Sequence, residues 1–389
     1  MASTLRIDVL TTPEALARVG EEWNALVRRA KVDLPFMRHE WMVVWWRHFA
    51  KSTLALRDSL WVMTVRTPAP DNALVGILPF MRSERPAQGP LRVRTLSFLG
   101  ADPYITEVRL PVFDPAHEAD VAHAVVEHLR NVDGWDWVQW PGMVRGSIFA
   151  AAIERAAGLK WADTLPSYVV PLAKTWDAFR GTLKRNVKES LRHCYNSLKR
   201  DGHTMRLTVA RTPDEIAAAL PLFFDLHTRR ADLSDTVKHP NRFPTGAAQD
   251  FLRDVMGELS RAGDARVYTL LVNDKPVACR IGFVCDKTLY LYYSGYDPAW
   301  SKYSVMTTVV AEAIKLAIEE GFEAVHLSTG LDVSKTRWGP RETVYSDAFQ
   351  VRPGLRPWLA REGFLLARDA SKNPKLARIA RLLPARSMQ

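Results

Sequence analysis

TLYLYYSGYDPAWSKYSVMTTVVAEAIKLAIEEGFEAVHLSTG, Thr288 to Gly330, decides the fold. An apolar strand runs into a glycine and an Asp-Pro pair, an amphipathic helix follows, and the strand AVHLS (Ala324–Ser328) closes the unit. A helix start placed there offers unpaired N–H groups and the positive end of the helix dipole to an anion. The first half of the chain carries a fainter copy. TLSFLGADPY (Thr95–Tyr104) matches TLYLYYSGYDPAW, VAHAVVEHLR (Val121–Arg130) matches VVAEAIKLAIEE (Val309–Glu320), and WDWVQW (Trp135–Trp140) stands where AVHLS does. The helices share one apolar spacing: Val121, Ala122, Val125, Val126 and Leu129 repeat Val309, Val310, Ala313, Ile314 and Ala317. Such a stripe packs on a sheet.

Working outward, each copy follows a hairpin. Strands Ser59–Val65 and Leu74–Arg82 flank PAPDN, and strands Arg266–Val272 and Val277–Phe283 flank NDKP. Helical spacing over Glu14–Arg29 aligns Leu16, Val19, Trp23 and Leu26, and Pro35 separates this from a second helix, His39–Phe49. Between the copies a basic helix is predicted from Lys184 to Gly202, with Lys184, Lys188 and Arg192 along one face. That face is either simply solvated or a positive wall beside a cleft that attracts phosphates.

A chain of 389 residues, 47% of them hydrophobic, is long enough for two cored domains. No apolar run approaches the roughly 20 residues that span a bilayer, and MASTLRIDVLTT lacks a signal-peptide core. Cys194, Cys279 and Cys285 have no metal-ligand spacing, so no metal is expected and a reducing cytoplasm fits best. The net charge of +10 is concentrated beyond Pro353, where eight basic residues face only Glu362 and Asp369. With Leu365, Leu366, Leu376, Ile379, Leu382 and Leu383 interspersed, this tail reads as a basic amphipathic helix. It suits packing on the body, or peripheral contact with an anionic membrane surface. No nucleophile elbow, HExxH, Walker loop or dinucleotide fingerprint is present, which sets aside hydrolase, metalloprotease and kinase readings. No nucleic-acid reading motif accompanies the charge.

Trp23, PFMRHEWMVVWW (Pro35–Trp46), LVGILPF with the later SFLG, KRNVKESLRHCYNSLKRDG, and the run from YYSGYDPAW to KTRWG occur in an order that resembles one family. It is the GNAT-like acyltransferases of the CelD type, associated with cellulose or exopolysaccharide production. The Fem-like transferases, which take amino acids from aminoacyl-tRNA, are similar in architecture. The resemblance implies an α/β (α+β) protein of tandem GNAT-like domains, each a mixed, mostly antiparallel sheet flanked by helices. The expected divisions are 1–175 for a degenerate first domain, 176–205 for the basic helix, 206–352 for the catalytic domain and 353–389 for the tail. An acyl-CoA co-substrate would enter between splayed strands beside Tyr293 and Ser294. Its pyrophosphate would meet the loop Lys302, Tyr303, Ser304, Val305, Met306 and Thr307. Val305 and Thr307 stand where the family's loop carries glycines, which is the argument for a third reading, a non-catalytic scaffold in exopolysaccharide assembly. In the first copy ITEVRLPVFDPAHEAD is longer, acidic and free of glycine.

Direct acyl transfer to an amine or hydroxyl of a small or saccharide acceptor needs proton removal and oxyanion donors. The backbone near Tyr293–Gly295 is the expected donor. STGLDVSKTRWG (Ser328–Gly339) leaves the strand opposite the splay and places Asp332 and Lys335 as catalytic candidates, with Arg337 and Trp338 as substrate contacts. His227 (catalytic) and Arg230 (substrate-binding) lie on a predicted helix Leu220–Ser234, and the loop DTVKHPNRFPTG after it reads as a lid. An ordinary solvated surface competes with each assignment. His326 reads as a satisfied core histidine and Asp297 as a turn former. Under the Fem-like alternative the partner is tRNA.

Overall fold

The computed structural model describes residues 5–88, 92–102, 104–233, 239–244 and 246–371. They divide into two compact units. The first holds the residues up to Val32, Phe36–Leu165 and those from Val344 on; the second holds Asp33–Pro35 and Pro166–Thr343. The sequence expectation drew its boundary at residue 175 and ended the second domain at 352. Both divisions of the structure fall instead inside strands, Lys160–Pro171 and Arg341–Val351, where no turn residue or composition shift marks them. The basic helix belongs to the second unit. Of the tail, the helix Leu355–Ser371 is described; residues 372–389, with their expected amphipathic pattern, lie outside the described residues.

The first unit has the expected helix pair, with Val19 at a break that yields Pro13–Arg18 and Gly20–Arg29, followed by His39–Phe49. Trp23, Trp41 and Trp45 are buried and their indole N–H groups satisfied: Trp23 donates to Met37 O, Trp41 to Thr106 Oγ1 and Trp45 to Asp102 Oδ2. The predicted hairpin is where the structure departs from expectation. Each long strand breaks, at Trp61 and at Pro79, and its two halves join different sheets. Val62–Arg66 pairs with Leu74–Leu78 in an antiparallel four-stranded sheet completed by Arg6–Leu10 and Val112–Phe113. Arg57–Leu60 pairs with Phe80–Arg85, which continues to Val93–Phe98, Trp137–Met143 and Ser346–Val351. The proline at position 79 lacks the N–H that an unbroken ladder would need. Phe80, Phe98, Trp140 and Phe149 pack edge to face in the core, where Trp140 Nε1–H reaches Gln350 Oε1.

The second unit orders its strands Met205–Ala210, Ala265–Val272, Lys275–Cys285, Thr288–Tyr296, Ala324–Thr329 and Lys160–Pro171. All neighbours are antiparallel except Thr288–Tyr296 with Ala324–Thr329. That parallel pair is the counterpart of Val93–Phe98 with Trp137–Met143, and the registers agree. Thr288 faces Ala324 and Leu289 faces Val325; Thr95 faces Trp137 and Leu96 faces Val138. The internal match read from the sequence is thus an equivalence of strand, crossover helix and strand. The stripes of both helices, Glu118–Asn131 and Val305–Glu319, are buried as predicted. Alternation along Thr288–Tyr296 sends Leu289 and Leu291 into the core with helix Val305–Glu319 and the apolar face of Arg185–Arg200. Tyr290 and Tyr292 take the other face, where Tyr290 stacks on His326. Lys184 and Arg192 are exposed and Lys188 half-buried, so the basic face of that helix is solvated.

Candidate active site

Register in the second unit creates the site. Parallel pairing between Thr288–Tyr296 and Ala324–Thr329 stops at Tyr290 opposite His326, so the last six residues of the first strand run on beyond the ladder. On its other edge a bulge sets Tyr292 and Tyr293 against the single residue Ile281. Bulges bend a strand and re-aim its side chains. The two effects together are the splay that the sequence reading expected.

Beyond the strand, Asp297 accepts from the Ala299 amide at 3.1 Å and opens the 3-10 turn Pro298–Tyr303, the turn-forming role read for it. Ser304 then adopts the left-handed conformation (φ 54°), and helix Val305–Glu319 begins. Ser304 makes no side-chain cap bond; its carbonyl accepts from the Thr307 and Thr308 amides at 2.9 and 3.1 Å. As at any helix start, the amides of Val305 and Met306 have no intrahelical acceptor. The first turn holds no acidic residue. Val305, which seemed to block close approach by replacing a glycine, is 1% exposed with its side chain in the core, so it does not stand over the amides. The residue whose backbone does favour glycine is Ser304.

Lys302 lies in the turn that leads into this helix, two residues before its cap Ser304. Lys302 is exposed, 3.9 Å from Asp201 and 4.7 Å over the Tyr303 ring. The Tyr303 side chain is buried, its hydroxyl donating to Asp201 Oδ2 at 2.9 Å and lying 3.1 Å from His203 Nε2. The expected cofactor contact by Tyr303 is therefore replaced by a fold-holding one. Arg337 lies within electrostatic reach of Cys194, whose thiol points at Ser304 O. Burial holds that thiol above its ordinary value against the pull of Thr308 and Arg337. Among the described residues the Arg337 guanidinium has no hydrogen-bond or ion-pair partner. Trp338, expected at the substrate, is instead 3% exposed and part of the core.

A second group gathers at the far end of the splayed strand. His227, on helix Pro213–Ala231, donates from Nδ1 to Ser294 O at 2.8 Å and accepts from the Arg242 amide at Nε2, 3.2 Å. Burial, with Arg230 and Arg242 adding to it, pushes its pKa down to about 4. With both ring nitrogens engaged, His227 clamps helix, strand and loop together, where the sequence reading had made it a catalytic candidate. Arg230 donates to Ser294 Oγ at 2.8 Å and lies 3.0 Å from His239 Nε2. Asp332 caps the short helix Val333–Thr336 through the Ser334 amide at 2.8 Å. Burial alone would raise its carboxyl; the Ser334 bonds, Lys335 and His239 outweigh that and hold it below the usual range. Lys335 donates to the carbonyls of Thr329 and Gly330 at the strand end.

His239 was not singled out from the sequence, since a histidine in a turn-rich loop carries no periodic signal. Residues 235–238 and 245 of the expected lid lie outside the described residues. His326 is the satisfied core histidine expected. It accepts from the Ser328 amide at Nδ1, leaves Nε2–H to Ser167 Oγ at 2.8 Å, and is driven by burial to a pKa of about 3. The three cysteines are buried. Among the described residues no acidic, histidine or cysteine group could hold a metal, and no helix is long and apolar enough to cross a membrane.

The Acetyltransferase (GNAT) domain family matches residues 185–336, from the basic helix through the loop of Asp332 and Lys335. That part of the chain resembles a GNAT acetyltransferase domain. FemX superposes with a TM-score of 0.59 at 10% identity, over 88% of this chain and 97% of its own. A conserved protein of unknown function from Bacteroides thetaiotaomicron gives 0.51 at 14% identity, over 89% and 100%. At these identities the likeness is one of fold. No curated protein matches the sequence.

Proposed function

We propose that the second unit is an acyltransferase that moves an acyl group directly from acyl-CoA to an amine or hydroxyl of a small or saccharide acceptor, in the cytoplasm. One observation carries the reading: a helix start whose Val305 and Met306 amides have no acceptor among the described residues, with no acid in its first turn, Lys302 in the turn before it, and Arg337 within electrostatic reach of Cys194, whose thiol faces Ser304 O. Backbone amides and the helix dipole supply the pyrophosphate site, with the two cations adding charge. The pantetheine arm would then run into the splay past Tyr293 and Ser294 toward Asp332 and Lys335. There Asp332, ionised at neutral pH, is suited to accept a hydrogen bond from the acceptor's ammonium and orient it. Lys335 is the cation nearest the strand end. Calorimetric titration with acetyl-CoA and longer acyl-CoAs tests the reading: saturable binding is expected, and absence of binding to all of them would overturn it.

A second reading, Fem-like transfer from aminoacyl-tRNA, draws on the fold it shares with FemX. It predicts that charged tRNA, and not coenzyme A, protects helix Val305–Glu319 from hydrogen exchange.

A further inference from the structure

Arg230 is a half-buried cation whose hydrogen-bond partners are both neutral. One N–H goes to Ser294 Oγ and another faces His239 Nε2. For that contact to be a hydrogen bond, His239 must accept at Nε2 and carry its proton on Nδ1. Among the described residues His239 Nδ1–H has no acceptor and no carboxylate lies within ion-pairing distance of Arg230. Asp332 acts on it only at longer range and is itself tied to the Ser334 amide. Burial of a guanidinium is costly unless a counter-charge arrives, and its planar fork leaves further donors for a carboxylate or phosphate. Lys335, within electrostatic reach of both His239 and Asp332, adds a second positive charge.

We propose that Arg230, oriented by Ser294 and His239, binds a compact anionic group on the acceptor, so that the acceptor is an amine carrying a carboxylate or a phosphate. The proposal rests on reading this face as the acceptor side of the transferase, but its test reads binding and needs no turnover. Full-length protein is titrated with matched pairs: glucosamine against glucosamine 6-phosphate, and ethanolamine against glycine. The anionic member of at least one pair is expected to bind about 10- to 100-fold tighter, the range for a charge-assisted hydrogen bond. Whichever pair shows the preference identifies the anion as phosphate or carboxylate. Arg230→Ala should abolish the preference, Arg230→Lys should retain part of it, and His239→Ala should reduce it while leaving acyl-CoA affinity unchanged. Equal binding within both pairs, no binding of any member, or a preference that survives Arg230→Ala in a folded variant would overturn the proposal. Acyl-CoA binding without an anion preference would sink this inference alone, and the converse would sink only the acyl-CoA reading.

Discussion

The first unit and the second share a strand, crossover helix and strand in the same register, yet their helices start in opposite ways. In the second, eight residues from Asp297 to Ser304 lead into a helix whose first turn is free of acids and whose cap makes no side-chain bond. In the first, the chain wanders from Phe98 to Glu118. There the Asp102 carboxylate takes the amides of Tyr104, Ile105 and Thr106, and the helix opens with Glu118 and Asp120. Glu118 also accepts from the Phe149 amide at 2.9 Å. One copy opens its helix with two acids and ties its loop to Asp102; the other has no acid in its first turn and no side-chain cap. On the proposed reading, competence for an anionic ligand resides in the turn before the helix, not in the sheet-and-helix unit that both copies keep.

The sharpest way to break this comparison is through the glycines that precede each turn. A Cβ on Gly295 would lie 2.3 Å from His227 N and 2.4 Å from Leu226 C, both backbone atoms of the crossing helix. Gly295→Ala should cost about 3 kcal/mol or more in urea denaturation. At Gly100 the obstacle is the Thr106 side chain at 2.7 Å together with a φ of +83°. Gly100→Ala should cost less, about 1–2 kcal/mol. Equal costs would mean that helix and strand are not in backbone contact in the second unit.

Acid should separate the units next. His227 and His326 are held neutral, near 4 and 3 against an ordinary 6.5. Between those values the unfolded chain binds protons that the native state refuses, so stability is full above pH 6.5 and falls as pH drops toward 4. The expected loss is on the order of 3 kcal/mol for each histidine. Hydrogen exchange should show the second unit opening first. His227→Asn with His326→Gln should flatten the pH slope while lowering stability at neutral pH; an unchanged slope would point to carboxylates instead.

Smaller effects probe the helix starts. Lys302→Ala and Arg337→Ala should each weaken coenzyme A binding about tenfold, the Lys302 effect growing at low salt because that side chain is exposed. Glu118→Gln with Asp120→Asn should leave the dissociation constant unchanged, and any change would restore the first copy as a ligand site. Ser304→Gly removes a left-handed non-glycine residue and should stabilise the protein by about 1 kcal/mol with binding retained. A destabilised variant would contradict the observed backbone there.

Much of this was legible in the chain. The loop placement at Lys302–Thr307 followed from the family resemblance, and the matched stripes and the paired strands from periodicity and turn residues, because those signals are local. His326 in the core and Asp297 in the turn were read in the same way. What failed had non-local causes. Val305 seemed an obstacle until its side chain was seen in the core. His227, Tyr303 and Trp338 seemed chemical until their hydrogen bonds or burial were known. His239 gained its importance only from Arg230, nine residues away in sequence and brought against it by the fold.

The sequence by itself determined the duplicated α/β unit and which copy leaves its helix start free of acids, since hydrophobic period and local charge are written along the chain. Only the tertiary structure decided which polar side chains remain available to a ligand. A donor's availability depends on whether some distant group already accepts from it, and that is settled by packing between elements far apart in sequence.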